Sequence, residues 1–261
     1  MGVTIIPDMI NKLRLLVARV LNTFYYTTGV KMFRGMSNRL ALGIHVKVDD
    51  TWYVLTCVSD LLEIIPEYER KVFNKLFEVS KSGSVFIDVG AHIGRYSFPI
   101  AKLVGGNGLV VAIEPDPLAF KALLMGIKLN NLCNVLALNI AIGDTEGKAI
   151  LCQKLVTATS SIIEFDKCQK FIEVPLRRLD SVVEELKLRH VDVIKIDVEG
   201  AEIQVLKGAI NTIARFKPFL VVEVRDRNVN EFLQIMECLR YFCEELAKGA
   251  IDKVFLCHSI G

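Results

Sequence analysis

Residues 84–103, SVFIDVGAHIGRYSFPIAKL, constrain the fold of this chain more than any other stretch. Val85, Phe86, Ile87 and Val89 form an apolar run with Asp88 at its end, the pattern of a parallel strand covered on both faces. A glycine turn follows at once, and apolar residues then recur at helical spacing. Gly90 lets the backbone turn and approach a ligand, and Gly94 opens a helix whose free N–H groups can face an anionic group. Strand, glycine turn and helix in that order form the cofactor corner of a doubly wound α/β sheet.

A second apolar run, GLVVAIEPD, ends at Glu114, 24 residues after Gly90. An acid in that place accepts both hydroxyls of a ribose, so the two signals imply an adenosine-containing cofactor. The spacing Gly90-x-His92-x-Gly94 lacks the middle glycine that a pyrophosphate needs, which disfavours nicotinamide and flavin. An acid at Asp88 suits a ligand bearing an ammonium group, and S-adenosyl-L-methionine carries one beside its sulfonium.

Composition agrees with an enzyme of ordinary size. The 261 residues are 52% apolar and 24% charged, enough for one sizeable core with an appended element. With 32 Lys and Arg against 30 Asp and Glu the net charge is +2, which supplies no electrostatic footprint for nucleic acid. Seven scattered cysteines with no C-x-x-C pair predict reduced, buried thiols and a cytoplasmic setting. No metal site is predicted from them.

The chain divides into an N-terminal cap over residues 1–65 and a catalytic sheet over 66–261. In the cap, Ile10, Leu13, Leu16, Val17, Val20, Leu21 and Phe24 recur at helical spacing between basic residues. Packing of this stripe on its own domain or a partner subunit is the favoured expectation, and docking of residues 10–24 on an anionic membrane surface is the alternative. ALGIHVKV and TWYVLTCV predict a β-hairpin turning at Asp49 and Asp50. Pro66 introduces a helix with Phe73, Leu76 and Phe77 inward and a stop at Gly83.

Beyond it, VFIDVG, LVVAIEP, NVLALNIAI, VDVIKID and FLVVEV predict five parallel strands joined by helices on both faces. AILCQKL, SSIIEF and FIEVPLRRL read as short inserted strands, and residues 253–259 as a final edge strand. Residues 191–209, VDVIKIDVEGAEIQVLKGA, gather charges where a strand ends: Lys195 and Asp197 point to one side, and Glu199 and Glu202 follow. A buried ion pair is the structural explanation of Lys195 and Asp197; a ligand edge shared with Asp88 and Glu114 is the functional one, and it is favoured for Asp197 with Glu199.

FIDVGAHIGRYS, AIEPDPLAF, NIAIGDTEG, LDSV, VIKIDVEGAEIQVLKGA and PFLVVEV, in this order, resemble the FkbM-type methyltransferases from about residue 67 to 224. The resemblance implies a Rossmann-like class I methyltransferase sheet, S-adenosyl-L-methionine as cofactor, and methylation of a hydroxyl on a small molecule, sugar or glycan. Carried over by position, Asp88, Gly90, His92 and Gly94 match the first cofactor motif, Glu114 with Asp116 the ribose acid region, and Asp144 a loop residue near the adenine. His92 stands where that family often has Asn. Removing a hydroxyl proton as the new bond forms calls for a base or a metal, and a metal-free site needs fewer assumptions than a divalent ion on Asp197, Glu199 and Glu223. Asp197 is the first candidate, with Glu199, Glu223 and His92 after it and Lys195 as a partner that holds Asp197 ionised. A nicotinamide-dependent enzyme and a non-catalytic, membrane-docked binding module are the rival readings.

Overall fold

The computed structural model describes residues 3–5, 9–28, 31–65, 69–166 and 168–260. The cap begins with a short strand β1 (Val3–Ile5), a long helix α1 (Met9–Thr28) and a second helix α2 (Lys31–Ala41). β2 (His45–Val48) and β3 (Thr51–Val54) make the expected hairpin, with Asp49 taking the left-handed conformation that its tight turn requires. β1 pairs with β2, which completes a three-stranded antiparallel sheet.

Two helices, α3 (Asp60–Glu63) and α4 (Arg70–Val79), lead to the main sheet. In α4 Leu76 is buried, but Phe77 is 37% exposed and so does not face inward as predicted. The helix ends at Val79 with an extended Ser80, before Gly83; its predicted start at Pro66 lies outside the described residues.

The alternation that follows is β4 (Val85–Val89), α5 (Ser97–Val104), β5 (Leu109–Ile113), α6 (Pro117–Leu129) and β6 (Val135–Leu138). An inserted three-stranded sheet comprises β7 (Ala141–Ile142), β8 (Gly147–Gln153) and β9 (Lys170–Arg177). The chain then runs through α7 (Leu179–Glu185), β10 (Val193–Ile196), α8 (Glu202–Lys207), α9 (Ile210–Phe216), β11 (Phe219–Arg225) and α10 (Val229–Cys238). It closes with the hairpin β12 (Tyr241–Lys248) and β13 (Asp252–Ser259).

The seven-stranded sheet has the order β12-β13-β11-β10-β4-β5-β6. β11, β10, β4, β5 and β6 are parallel, while β13 runs antiparallel to β11 and β12 antiparallel to β13. From β4 the chain winds outward through β5 and β6, then returns to β10 and winds the other way, so the switch point lies between β4 and β10.

Period-two alternation sorts the strands onto two cores. Phe86, Val110, Ala112, Val193 and Val221 face the cap, α4, α5 and α6, in one continuous core that includes Val46 and Tyr53 of the hairpin. Ile87, Val111, Ile194 and Ile196 face α7 to α10. Each fully buried side chain of this size is worth about 1.5–3 kcal/mol, so this three-layer packing dominates the cohesion of the domain.

Other expectations change as well. SSIIEF is not a strand: it contributes a single bridge, from Ser161 to Cys152, after a 3-10 turn at Thr157–Thr159. Residues 253–259 fall within β13, which is interior, and the edge is β12. The thiols are not all reduced. Cys243 and Cys257, opposite each other on β12 and β13 with Cα atoms 4.1 Å apart, form a disulfide, as do Cys152 and Cys168 with Cα atoms 5.3 Å apart. Cys57, Cys133 and Cys238 are free.

The helix over residues 10–24 is present within α1, but the face it turns to its own domain is not the predicted stripe. Leu15 and Ala18 are buried, whereas Leu13, Leu16, Val17 and Val20 are exposed. The side chains of Ile10 and Phe24 lie outside the described residues.

Candidate active site

The carboxyl ends of β4, β5, β10 and β11 converge on a cavity of about 600 Å³. Open α/β sheets bind ligands at that edge, beside the switch point. Gly90 and His92 line it from the turn after β4, Glu114 from β5, Lys195, Asp197 and Glu199 from β10 and its loop, and Glu223 from β11.

The turn is held by its neighbours. Gly90 has φ +82°, and a Cβ there would overlap the carbonyl oxygen of Asp197, so only glycine lets β4 and β10 end this close together. Gly94, at φ +91°, is likewise pressed against the Phe98 ring and is absent from the cavity wall. The backbone N–H groups of His92 and Asp116 each donate to Glu114, at 2.8 Å to Oε2 and Oε1 respectively. The carboxylate is thereby fixed with lone pairs to spare for further donors.

Other sequence-predicted residues stand elsewhere. Asp88 is fully buried beneath the turn, where it accepts from the Ser97 hydroxyl at 2.7 Å and pairs with Lys195 Nζ at 3.2 Å. It does not line the cavity, so the expected direct contact with a ligand ammonium is not made by this side chain. Asp116 is also fully buried: it caps α6 through Leu118 N–H at 2.8 Å and accepts from Gln153 and Ser160. Asp144 is exposed and outside the cavity wall. Glu202 is buried and accepts from the Arg225 backbone N–H at 2.7 Å, a structural role.

His92 takes a left-handed conformation, φ 49°. Its Nε2 lies 2.8 Å from the Thr157 hydroxyl and its Nδ1 3.5 Å from Glu63 Oε2. Thr157 in turn meets Thr56, whose hydroxyl donates to Asp60. This buried polar chain ties the cap, the cofactor turn and the loop after β8 together, and it occupies both ring nitrogens of the histidine. Burial opposes the charged form of His92, but Asp60, Glu63, Glu114 and Asp116 outweigh it and raise the pKa.

At the other end, Lys195 Nζ lies between Asp88 Oδ1 at 3.2 Å and Asp197 Oδ2 at 3.3 Å, and 5.0 Å from the centre of the Tyr96 ring. Burial works against its charge, and the two acids more than compensate. The Asp197 side chain is 33% exposed, which leaves it reachable from the cavity. Glu223 is pushed up to about 10, first by the charge of Asp197 and then by burial. Glu199 rises to about 7 through burial and Asp197, with Arg225 opposing. Its carboxylate is engaged by Arg225, which also holds Glu164 and Asp252 at 3.3 Å each.

Sequence reasoning missed Glu63, Glu69, Arg95, Tyr96, Thr157 and Arg225 on this wall. Glu69 Oε2 accepts from Arg95 Nη1 and from the Tyr96 hydroxyl, both at 2.6 Å. Arg95 and Tyr96 sit in the GAHIGRYS string and Arg225 ends the FLVVEVR strand, so their positions were readable. The loop residue Thr157 gave no such signal.

Among the described residues, two sets of side chains have the spacing of metal ligands, with ligand atoms within 4.8 Å of one another: Asp60, Glu63 and His92, and Asp197, Glu199 and Glu223. In the first, Asp60 Oδ2 already accepts from Thr56 N–H and Cys57 N–H. In the second, Lys195 and Arg225 already supply positive charge.

These shifts predict an unusual pH response. Burial raises Glu114 to about 7, against the charge of His92. A carboxyl with a higher pKa folded than unfolded contributes stability that is lost as pH rises through its folded value; the raised pKa of His92 acts with the same sign. The unliganded protein should therefore melt at a higher temperature at about pH 6 than at about pH 8, and Glu114→Gln should reduce the difference. A melting temperature that rises across that window would contradict this assignment.

Residues 88–246 match the family model of the methyltransferase FkbM domain. Methyltransferase 1 of Beauveria bassiana (strain ARSEF 2860) is 22% identical over 191 residues, covering 65% of this chain and 76% of the relative. Methyltransferase sdnD of Sordaria araneosa is 27% identical over 164 residues, covering 49% of this chain and 61% of the relative. The crystal structure of the methyltransferase FkbM from Methylobacillus flagellatus KT superposes with a TM-score of 0.54 at 16% identity, over 94% of this chain and 59% of that one. At that identity the likeness is one of fold. The family model spans well over half of the chain, with both charged strand ends inside its bounds, and the chain belongs to the FkbM methyltransferase family.

Proposed function

We propose that the cavity binds S-adenosyl-L-methionine and that the chain transfers its methyl group to a hydroxyl oxygen of a small molecule, sugar or glycan. The observation that carries this reading is the carboxyl pair Asp197 and Glu223 at the ends of adjacent parallel strands, beside the Gly90 turn and the fixed carboxylate of Glu114.

The wall suits the cofactor in parts. Glu114 retains acceptor capacity for the two ribose hydroxyls, and Pro115, Ile140, Ala141 and Ile142 provide an apolar surface for a flat base. The side chain of His92, hydrogen-bonded to Thr157, stands where a pyrophosphate-binding turn would need glycine, which disfavours nicotinamide. When bound, the cofactor supplies a methyl group activated by its sulfonium.

The protein then has two tasks, positioning an oxygen and taking its proton. Asp197 accepts the proton of the acceptor hydroxyl, and Lys195, which shares its charge between Asp88 and Asp197, fixes the carboxylate's orientation. The charge of Asp197 and burial favour the protonated form of Glu223, which then donates a hydrogen bond toward the acceptor or toward Asp197. Glu199, clamped by Arg225, is a positioning residue in this scheme.

Calorimetric titration tests the cofactor. Micromolar binding of S-adenosyl-L-methionine is expected, with no competition from NAD. Glu114→Ala should weaken it roughly tenfold or more, since two hydroxyls lose their acceptor in a buried site. Unchanged affinity in that variant would overturn the placement of the ribose.

A further inference from the structure

The helical hairpin of the cap has a surface that the methyltransferase site does not use. Leu13, Leu16, Val17 and Val20 follow one another at positions i, i+3, i+4 and i+7 of α1 and are 59%, 60%, 40% and 46% exposed. The opposite face of the same helix is already satisfied, with Leu15 and Ala18 buried in the domain core and the Ala18 carbonyl accepting from Ser37 of α2. On α2, Met32 and Met36 are 62% and 46% exposed. The hairpin is anchored to the domain: Asn38 donates to the Leu155 carbonyl at 2.7 Å, in the loop over the cavity.

Charge identifies the occupant of this face. Between residues 9 and 41 there are six basic residues, Lys12, Arg14, Arg19, Lys31, Arg34 and Arg39, and no Asp or Glu. The whole chain is only +2, so the remainder is net negative and the excess of positive charge lies in this segment. A second copy docked through the same face would oppose like charges across a two-fold axis. An anionic lipid surface meets both features, with apolar side chains entering the acyl boundary and basic ones meeting the headgroups. No described helix is long and apolar enough to cross a membrane, which leaves the helix lying in the interface plane.

We propose that the α1–α2 hairpin docks the enzyme peripherally on an anionic bilayer. Flotation with vesicles of phosphatidylcholine, alone or with about 30% phosphatidylserine, tests it with the full chain. The unaltered protein should float with the anionic vesicles at least ~10-fold more than with the neutral ones, and added salt should weaken the association. Leu16→Ser with Val20→Ser, and separately Lys12→Glu with Arg19→Glu, should each lower partitioning ~10-fold or more while keeping melting temperature and cofactor affinity. Equal partitioning on both vesicles, no association with either, or variants that float like the parent would overturn the proposal. A protein that sediments as a dimer and becomes monomeric on Leu16→Ser with Val20→Ser would overturn it in favour of a second copy.

Discussion

Replacing Asp197 by Asn should lower methyl transfer about 10²-fold or more, the usual scale for loss of a positioned general base, while cofactor affinity stays within a few-fold. Asn keeps the shape of the side chain and removes its ability to take a proton. The structure separates this outcome from a purely structural role. Orphaning a buried charge costs about 3–5 kcal/mol, but Lys195 also pairs with the fully buried Asp88, so the Asn variant leaves it a partner. A small fall in melting temperature with a large fall in rate is the expected combination. Near-normal turnover with a large fall in melting temperature would remove Asp197 from catalysis.

Gly90→Ala should destabilise the fold by about 3 kcal/mol or more. Two costs combine there: the left-handed backbone, φ +82°, and the overlap of the new methyl with the Asp197 carbonyl. Gly43 provides the control, because it has a similar φ of +77° with nothing within 4 Å of a Cβ. Gly43→Ala should cost only the backbone share, about 1–2 kcal/mol. Denaturant unfolding of the two variants measures the difference, and equal losses would show that the contact between β4 and β10 does not enforce glycine. Because the clashing atom belongs to Asp197, Gly90→Ala should also displace the proposed base.

The sheet was legible because its strands are buried on both faces and therefore read as continuous apolar runs bounded by turns. β12 was not, because it is an edge strand whose outward residues include Glu244, Glu245 and Lys248, which broke the run. In α1 the helical period was correctly visible, yet a helix with apolar residues on two sides leaves open which side the domain covers; Leu15 and Ala18 decided it. The charged residues at strand ends were legible as a group, since all parallel strands deliver their carboxyl ends to one edge. Their division of labour was not. Asp88 and Asp197 both follow from strand position, but only the three-dimensional arrangement puts one beneath the turn and the other on the cavity. Arg225, which takes Glu199 out of contention as a free base, closes a strand whose sequence draws attention to its acid, Glu223.

The proposed reaction moves a methyl group from S-adenosyl-L-methionine to a hydroxyl oxygen bound in this cavity. Incubating the full chain with cofactor labelled in its methyl group and a fractionated pool of hydroxylated small molecules and glycans, then locating the label by mass spectrometry and NMR, tests it directly. S-adenosylhomocysteine and an O-methyl ether should form in equal amounts, with both lost in Asp197→Asn. Label found on nitrogen or carbon, or equal product formation by that variant, would contradict it.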